Sequence, residues 1–439
     1  MSDETPAFRP EALELAERLA EPRLGPYPVP HFDGHSLPNA GVSAFAMAGG
    51  KNRQGLLPEL APEYLRDKDA RTAVVFLVDS FGWNLLRQAV RDAESSIERS
   101  LLAGIASCAM PMTTVFPSTT SSALVSLSTG TAPGTHGIVG HTEYLPAWGA
   151  VLNMLRIAPS WGGPRDLAAG KGFRPADLVT VPTLFRRGLE STALTKLDFE
   201  GTAFTRLLYE GAAFQGYLSL SDLELHLRKL LTQPPARRPR LLWVYWDLLD
   251  AVHHLNGPLD ALALSELTHL FASLVSVARK MSPQEREGIS VFVTGDHGQM
   301  HLSPDLARSA HGDAALMSLL HRPPSGEKRA AFLEAGRGKA PELRAYLRAY
   351  EKEGWSCFPV SEILEKGVLG PSPLHPELKD RLGDFLLLPP EGATLFYRPP
   401  GSRGGEEHFL HGNHGGLTQE ELLVPLVSTS LDGLARWLP

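Results

Sequence analysis

Cysteine is scarce in this 439-residue sequence, basic residues are not in excess, and long apolar runs are missing. The two cysteines, Cys108 and Cys357, are too few for a disulfide scaffold or a cysteine-rich zinc module. With 42 basic and 49 acidic residues the net charge is −7, which argues against a basic nucleic-acid-binding surface. No segment approaches the roughly 18 consecutive apolar residues of a membrane span, and the first residues do not form a signal sequence. We therefore expect a cytoplasmic protein without a membrane partner.

The composition is that of a globular protein, with 43% hydrophobic and 21% charged residues. Sixteen histidines accompany 49 acidic residues. Because cysteine is nearly absent, any bound metal must be held by imidazole and carboxylate groups.

Several apolar runs of strand length predict a parallel sheet. Thr72–Val78, Leu241–Trp246 and Ile289–Thr294 are continuously apolar, as strands buried on both faces are. Leu422–Val427 resembles them, but Pro425 predicts an edge position for that strand. Helical patterns such as Leu259–Met281 lie between the strands. We therefore predict a three-layer α/β/α sandwich with a mostly parallel central sheet.

The distribution of these patterns divides the chain into three parts. Residues 1–70 are rich in proline and glycine and are predicted to form an N-terminal wrapping arm. Residues 71–321 and 401–439 are predicted to form the α/β catalytic core. Residues 322–400, which combine a helical pattern at 341–352 with short apolar runs, are interpreted as a small α+β insertion.

Carboxylates and histidines follow the predicted strands, at the sheet edge where open α/β proteins bind ligands. Asp79 follows the first strand directly, although an aspartate there can simply cap the next helix. Asp250 and His254 are four residues apart, so on a helical turn they can chelate one ion. Asp296 and His297 follow the strand that ends at residue 294. Near the C-terminus the histidines are His408, His411 and His414, of which at most one or two need be ligands.

A hydroxyl-rich segment supplies a candidate nucleophile. Residues 116–120 read Phe-Pro-Ser-Thr-Thr and precede a helical pattern that ends at Thr129-Gly130. A threonine at a helix start is often only an N-cap, but free N–H groups there also attract phosphate. Held against a divalent cation, such a hydroxyl can attack phosphorus.

Taken in order, these clusters resemble the alkaline phosphatase superfamily, and within it the type I phosphodiesterase/nucleotide pyrophosphatase family. The matching segments are Val78–Ser80, Phe116–Thr120 with Thr129–Gly130, Pro133–Ile138, Asp250–Pro258, Thr294–Gly298 and His414–Gly416. The resemblance extends from about residue 70 to the C-terminus and includes Arg381–Asp384, a phrase that these enzymes often carry.

The resemblance implies an alkaline phosphatase-like fold and a two-zinc site. One ion would be held by Asp250, His254 and His414, and the other by Asp79, Asp296 and His297 together with the nucleophile. Thr120, ten positions before Gly130, is implied as the nucleophile, with Thr119 as the second choice. Mn²⁺ would accept the same ligands.

Two further positions are implied to contact substrate. His141 occupies the position where the family's diesterases often place an asparagine that contacts phosphate. Tyr245, five residues before Asp250, matches a position that stacks on the base in nucleotide pyrophosphatases, although a strand aromatic can equally be core. We see no arginine that matches the phosphate clamp of a monoesterase, which favours diesters.

The resulting hypothesis is a zinc-dependent phosphodiesterase or nucleotide pyrophosphatase that acts on a small phosphoester, such as a nucleotide, through a phospho-threonine intermediate. The alternatives are a phosphomonoesterase, phosphonate hydrolase or phosphomutase of the same superfamily. A catalytically inactive protein that binds a phosphate ligand is a third possibility.

Overall fold

The computed structural model describes residues 7–65, 70–172, 174, 177–234, 238, 240–398 and 410–439. The strands in chain order are β1 Thr72–Val78, β2 Ala109–Thr113, β3 Thr142–Leu145, β4 Ala150–Asn153, β5 Ala158–Pro159, β6 Ser191–Lys196, β7 Ala213–Tyr217, β8 Leu241–Trp246, β9 Ile289–Thr294, β10 Met300–His301, β11 Ala307–Ser309, β12 Ser325–Glu327, β13 Ala330–Leu333, β14 Ser356–Pro359, β15 Phe385–Leu388, β16 Thr394–Phe396, β17 Gly412–Asn413 and β18 Leu423–Ser430.

The helices are α1 Pro10–Leu19, α2 Leu37–Met47, α3 Trp83–Asp92, α4 Ser96–Cys108, α5 Thr120–Thr129, α6 Pro133–His136, α7 Leu167–Gly170, α8 Ala203–Leu208, α9 Leu220–Leu231, α10 Leu248–Asn256, α11 Ala261–Arg279, α12 Pro283–Arg286, α13 Ala314–Leu319, α14 Ala340–Lys352, α15 Val360–Glu365, α16 Leu378–Leu382, α17 Gln419–Leu422 and α18 Leu431–Leu434.

Seven strands form the central sheet in the order β2-β18-β9-β1-β8-β6-β7. All pairs from β9 to β7 are parallel, and β18 alone runs antiparallel to its two neighbours. Every residue of β1, β8 and β9 is buried. The predicted mostly parallel sheet is therefore confirmed, and its continuously apolar strands are those covered by helices on both faces.

The edge position predicted for the strand that contains Pro425 is wrong. β18 lies between β2 and β9, so it is an inner strand of the sheet. Pairing with β9 begins at Leu426, and on the other side Pro425 lies opposite Pro111 of β2. Two facing prolines fit a non-hydrogen-bonded pair, where neither residue needs an N–H group, and the strand can therefore be internal.

Two groups of helices complete the sandwich. α2 packs on β1 and α5, so the proline- and glycine-rich N-terminal region contributes a buried core helix. The other group contains α3, α4, α9, α10 and α11. Among the described helices, α11 is long and apolar enough to cross a membrane, but it packs on α4, α9, α10 and α18, as a core helix does.

A second seven-stranded sheet, with the order β14-β15-β13-β12-β3-β4-β5, is antiparallel throughout. Its strands come from 142–159 as well as from 325–388, so they lie on both sides of the boundary predicted at residue 322. The division into domains stays a prediction. The single bridge between Gly326 of β12 and Thr142 of β3 joins the two halves, and this junction places Glu327 beside the loop that follows α6.

Candidate active site

The candidate site lies at the carboxyl ends of three adjacent parallel strands. Asp79 follows β1, Asp296 follows β9 after one glycine, and Asp250 is in the first turn of α10, just after β8. Because the three strands are neighbours in the sheet, their ends meet at one place. Residues that are far apart in the sequence are thereby brought together.

Two sets of candidate metal ligands meet here and share one histidine. Ligand atoms of Asp79, Asp296 and His297 all lie within 4.8 Å of one another, as do those of Asp250, His297 and His414. His254 joins the second set through its Nε2, which is 3.2 Å from Oδ2 of Asp250. All six implied ligands are thus collected, but His297 faces both sets.

The three histidines present the same nitrogen to the site. Their Nδ1 atoms are bonded to backbone carbonyls, at 2.8 Å from Gly412 for His254, 3.0 Å from Gly298 for His297 and 3.0 Å from Ser118 for His414. Only a protonated Nδ1 can donate to a carbonyl, so Nε2 keeps its lone pair and is directed into the site. Such orientation by a bond from the second nitrogen is typical of metal-binding histidines.

Two of the aspartates have a buried carboxylate oxygen that lacks a hydrogen-bond partner among the described residues. Oδ1 of Asp79 and Oδ2 of Asp296 are buried and have no hydrogen-bond partner among the described residues. These two atoms lie 3.4 and 3.5 Å from Nε2 of His297. Burial raises the pKa of Asp79 well above its usual value, and the negative charges of Asp296 and Asp250 add to that shift. Unpaired carboxylate oxygens that converge on a free imidazole nitrogen fit a divalent cation.

Thr120 is the first residue of α5, and its hydroxyl lies 3.3 Å from Nε2 of His297. Gly130, with a φ of +66°, ends the helix as a left-handed cap, in agreement with the predicted start and end. Thr119 instead occupies the N-cap and interacts with the Glu327 carboxyl group. Of the two adjacent threonines, Thr120 therefore faces the candidate ligands.

Two cavities open on the site. One, of about 120 Å³, is lined by Thr120, Tyr245, Phe199, Leu124, Leu155 and Arg165, among others. The other, of about 330 Å³, is lined by His141, His254 and His414, together with Glu327, Lys328 and Tyr397.

The family model for type I phosphodiesterase/nucleotide pyrophosphatase matches residues 73–417, which contain every element of this site. The chain belongs to this family. It is therefore an enzyme, a phosphoester hydrolase of the alkaline phosphatase superfamily. A comparison with curated proteins found no match.

Solved structures share the fold at low sequence identity. Murine ectonucleotide pyrophosphatase/phosphodiesterase 5 is 18% identical, with a TM-score of 0.56 over 81% of this chain and 87% of that one. An inactive threonine-to-alanine variant of the same murine protein, in complex with AMP, has a TM-score of 0.57 over the same shares at 17% identity. Phosphonoacetate hydrolase from Sinorhizobium meliloti, in complex with phosphonoacetate, is 18% identical, with a TM-score of 0.57 over 84% of this chain and 95% of that one.

Tyr245 and His141, the two residues predicted to contact substrate, lie near the site of this phosphodiesterase family member. Their surroundings differ. Tyr245 donates a hydrogen bond from its hydroxyl to Oδ2 of Asp79, and its ring centroid lies 6.4 Å from that of Phe199. The His141 ring bonds to Asn153, and its backbone N–H donates to Glu327. His411 is not in either candidate ligand set, and His408 lies outside the described residues.

Sequence reasoning missed several residues that support the ligands. Gln299 donates from Nε2 to Oδ1 of Asp250 at 2.6 Å, and the Ser80 backbone N–H donates to Oδ1 of Asp296 at 2.9 Å. His253 is buried and bonds to the Ser80 hydroxyl. Gln299 directly follows the Thr294–Gly298 segment, and Ser80 directly follows Asp79. This adjacency to candidate ligands was the sequence signal that could have identified them.

One expectation from the sequence is weakened by the structure. We found no arginine that matches a phosphate clamp, yet the structure places Arg165 in the wall of the cavity that contains Thr120. No motif marks this arginine. The absence of an arginine therefore no longer favours diesters.

Proposed function

We propose that this chain is a metal-dependent phosphodiesterase or nucleotide pyrophosphatase that acts through a phospho-threonine on Thr120. The observation that carries the proposal is the shared orientation of three histidines, whose Nε2 atoms point at a cluster of aspartates beside the Thr120 hydroxyl. Oriented, deprotonated nitrogens grouped with unpaired carboxylates are prepared for divalent cations.

Asp79, Asp296 and His297 would hold one ion, and Asp250, His254 and His414 the other. When bound, a pair of zinc ions lowers the pKa of a nearby hydroxyl and offsets negative charge on the phosphoryl group. The orphaned oxygens of Asp79 and Asp296 are the atoms that such ions would satisfy.

The chain itself supplies the nucleophile and the anion site. The Thr120 hydroxyl loses its proton and its oxygen attacks phosphorus, while the P–O bond on the opposite side breaks. The departing group takes up a proton and leaves as an alcohol, or leaves as phosphate or pyrophosphate where the substrate is a pyrophosphate, and water then cleaves the bond between phosphorus and the Thr120 oxygen, which regains its proton. Because Thr120 opens α5, the free N–H groups of the first helical turn face the phosphoryl oxygens. The murine relative in which a threonine-to-alanine variant is inactive supports a threonine in this role.

The cavity beside Thr120 supports an ester with an apolar or aromatic retained group. Its volume of about 120 Å³ and its walls of Phe199, Tyr245 and Leu155 suit one ring system. A nucleoside is one such group, and the AMP bound by the murine relative is consistent with it.

The test compares Thr120→Ala with Thr119→Ala on bis(p-nitrophenyl) phosphate. We expect Thr120→Ala to lose essentially all hydrolysis, while Thr119→Ala retains most of it, because only Thr120 faces His297. Acid-quenched wild-type protein should carry a phosphoryl group on the peptide that contains Thr120. Metal analysis should find about two zinc ions per chain. Unchanged hydrolysis by Thr120→Ala would refute the mechanism.

Arg165 favours one second candidate, a phosphomonoesterase. A guanidinium in the cavity that contains Thr120 can pair with the additional charge of a monoester. The ratio of kcat/KM for p-nitrophenyl phosphate and its diester decides between them. A monoester preference that Arg165→Met abolishes would establish the second candidate.

A further inference from the structure

The two cavities lie at opposite ends of a row of side chains. Thr120 lines the smaller cavity, and its hydroxyl is 3.3 Å from His297. The His297 ring stacks on that of His414 at a centroid distance of 3.6 Å, and His414 lies 5.4 Å from His254. His414 and His254 then line the larger cavity.

This order fixes where the leaving group goes, provided that the proposed function holds. In an in-line displacement the nucleophile and the leaving oxygen lie on opposite sides of phosphorus. With Thr120 at one end of the row, the leaving oxygen points towards His414 and His254. The part of the substrate that departs must therefore occupy the larger cavity, of about 330 Å³.

Glu327 is the single acidic residue among the described residues that line this cavity. One of its carboxylate oxygens accepts a hydrogen bond from the His141 backbone N–H at 2.6 Å, and its carboxyl group interacts with the Thr119 hydroxyl. Its side chain packs against Gly415, where an added Cβ would lie 2.5 Å from the Cβ of Glu327. The carboxyl group is thereby fixed between the N-terminal end of α5, which carries Thr120, and the loop that carries His414.

A carboxylate has about four lone-pair sites, and these contacts leave acceptor capacity directed at the cavity. An ammonium or hydroxyl group on a leaving alcohol can use that capacity. A leaving pyrophosphate would instead bring further negative charge against a half-buried carboxylate, where repulsion is less screened than in bulk water.

We propose that the larger cavity is a leaving-group subsite in which Glu327 selects phosphodiesters of alcohols that carry a hydrogen-bond donor, and disfavours anionic leaving groups such as pyrophosphate. The inference rests on the proposed function and narrows it towards phosphodiesters.

The other charged groups of the cavity do not reverse this selection. Lys328 is exposed, so its ammonium group is hydrated and screened by salt. His141 has its pKa lowered to about 4, chiefly by burial, and is therefore neutral near pH 7. His254 and His414 are candidate metal ligands and would be bound to the ion. Burial raises the pKa of Glu327 to about 7, so at about pH 8.5 its carboxyl group is charged.

The experiment uses zinc-loaded protein and four substrates with the same retained group, thymidine 5′-phosphate. The leaving groups are 2-aminoethanol, ethylene glycol, ethanol and pyrophosphate, and release of thymidine monophosphate is measured by chromatography at about pH 8.5. Each kcat/KM is divided by that of the ethyl ester, so that a general loss of activity cancels. The aminoethyl and hydroxyethyl arms distinguish recognition of charge from recognition of a neutral donor.

We expect wild type to prefer at least one donor-bearing ester over the ethyl ester by roughly tenfold or more, which corresponds to about 1.4 kcal/mol. Because pyrophosphate is intrinsically a better leaving group than an alkoxide, the ratio of the donor-bearing ester to the triphosphate is compared between variant and wild type. Glu327→Gln should reduce this ratio by roughly tenfold. The matched control is Glu391→Gln, which removes the same charge from an exposed residue of a different cavity and should leave the ratio unchanged.

A wild-type enzyme that hydrolyses the donor-bearing esters no faster than the ethyl ester would overturn the subsite while leaving the proposed function intact. The same holds if Glu327→Gln and Glu391→Gln give equal ratios. Failure of wild type to hydrolyse any of the four substrates would overturn the proposed function and the subsite together.

Discussion

The buried pair of Arg329 and Glu421 allows a sharp stability prediction next to the site. Nε and one terminal nitrogen of Arg329 each lie 3.1 Å from a Glu421 oxygen, and the two side chains are 1% and 0% exposed. Arg329 also donates to the carbonyls of Pro390 and Ala393, both at 2.8 Å. Glu421 in turn accepts from the Gly416 N–H at 2.9 Å, two residues after His414.

Arg329→Met would leave the Glu421 carboxylate buried without its cation and would remove the donor from two carbonyls. Breaking a buried pair on one side typically reduces the free energy of unfolding by about 3–5 kcal/mol, and we expect about 4 kcal/mol here. The matched control is Arg344→Met. Arg344 makes a similar two-point contact with Glu351, at 2.9 and 3.0 Å, but these side chains are 36% and 31% exposed, so the expected loss is below about 1 kcal/mol.

The assay is urea unfolding followed by far-ultraviolet circular dichroism. A third protein, Arg329→Met combined with Glu421→Gln, should recover about 2 kcal/mol, because the unpaired charge is gone while the introduced amide oxygen can still accept from Gly416. Equal losses for Arg329→Met and Arg344→Met would refute the reasoning, since burial would then make no difference. A double variant no more stable than Arg329→Met would show that the unpaired charge is not the cause.

Two further predictions concern the support of the site and its pH dependence. Gln299→Ala should weaken zinc binding by roughly 10–100-fold, because Gln299 orients Asp250. Competition with a chromogenic chelator measures this affinity without an activity assay. The control variant Gln215→Ala, in β7, should bind zinc as wild type does. Burial raises the pKa of Glu143 from 4.5 to about 7, although Arg381 at 3.7 Å lowers it. The folded protein therefore keeps a proton that the unfolded chain releases, and this contribution to stability is full below about pH 4.5 and lost as the pH rises through 7. Relative to Glu143→Gln, wild type should lose roughly 3 kcal/mol between about pH 4.5 and pH 8 in urea unfolding; parallel pH curves for the two proteins would contradict this assignment.

The central sheet and the candidate ligands could be predicted because both leave local marks in the sequence. A strand covered on both faces must be apolar at every position, and β1, β8 and β9 each show this as an unbroken run. Parallel order then brings the ends of these strands together, so that polar residues directly after them share one edge. Helix α5 could also be predicted, because Gly130 marks its C-terminal end.

The second sheet could not be predicted as a unit, because its pairing joins segments far apart in the chain. β3 and β12 meet at one bridge, between residues 142 and 326. Strands such as β12 are too short to show a hydrophobic periodicity, and their composition does not indicate which strand they pair with. Glu327 was missed for this reason, because its proximity to Thr119 and His141 arises from pairing between distant segments.

The types of the site residues could therefore be predicted from the sequence, whereas the side-chain orientation that makes them ligands could not. Each candidate histidine is held by a backbone carbonyl, contributed by Gly412, Ser118 or Gly298. Every residue has a carbonyl, so a sequence contains no signal for which one will accept from a given imidazole. At residue 412 the structure requires a glycine, because an added Cβ would lie 2.3 Å from Oε1 of Gln299 and 2.7 Å from the His253 carbonyl oxygen. The Gly412 carbonyl accepts from His254, and Gln299, which lies against Gly412, donates to Asp250, so this glycine supports two ligands.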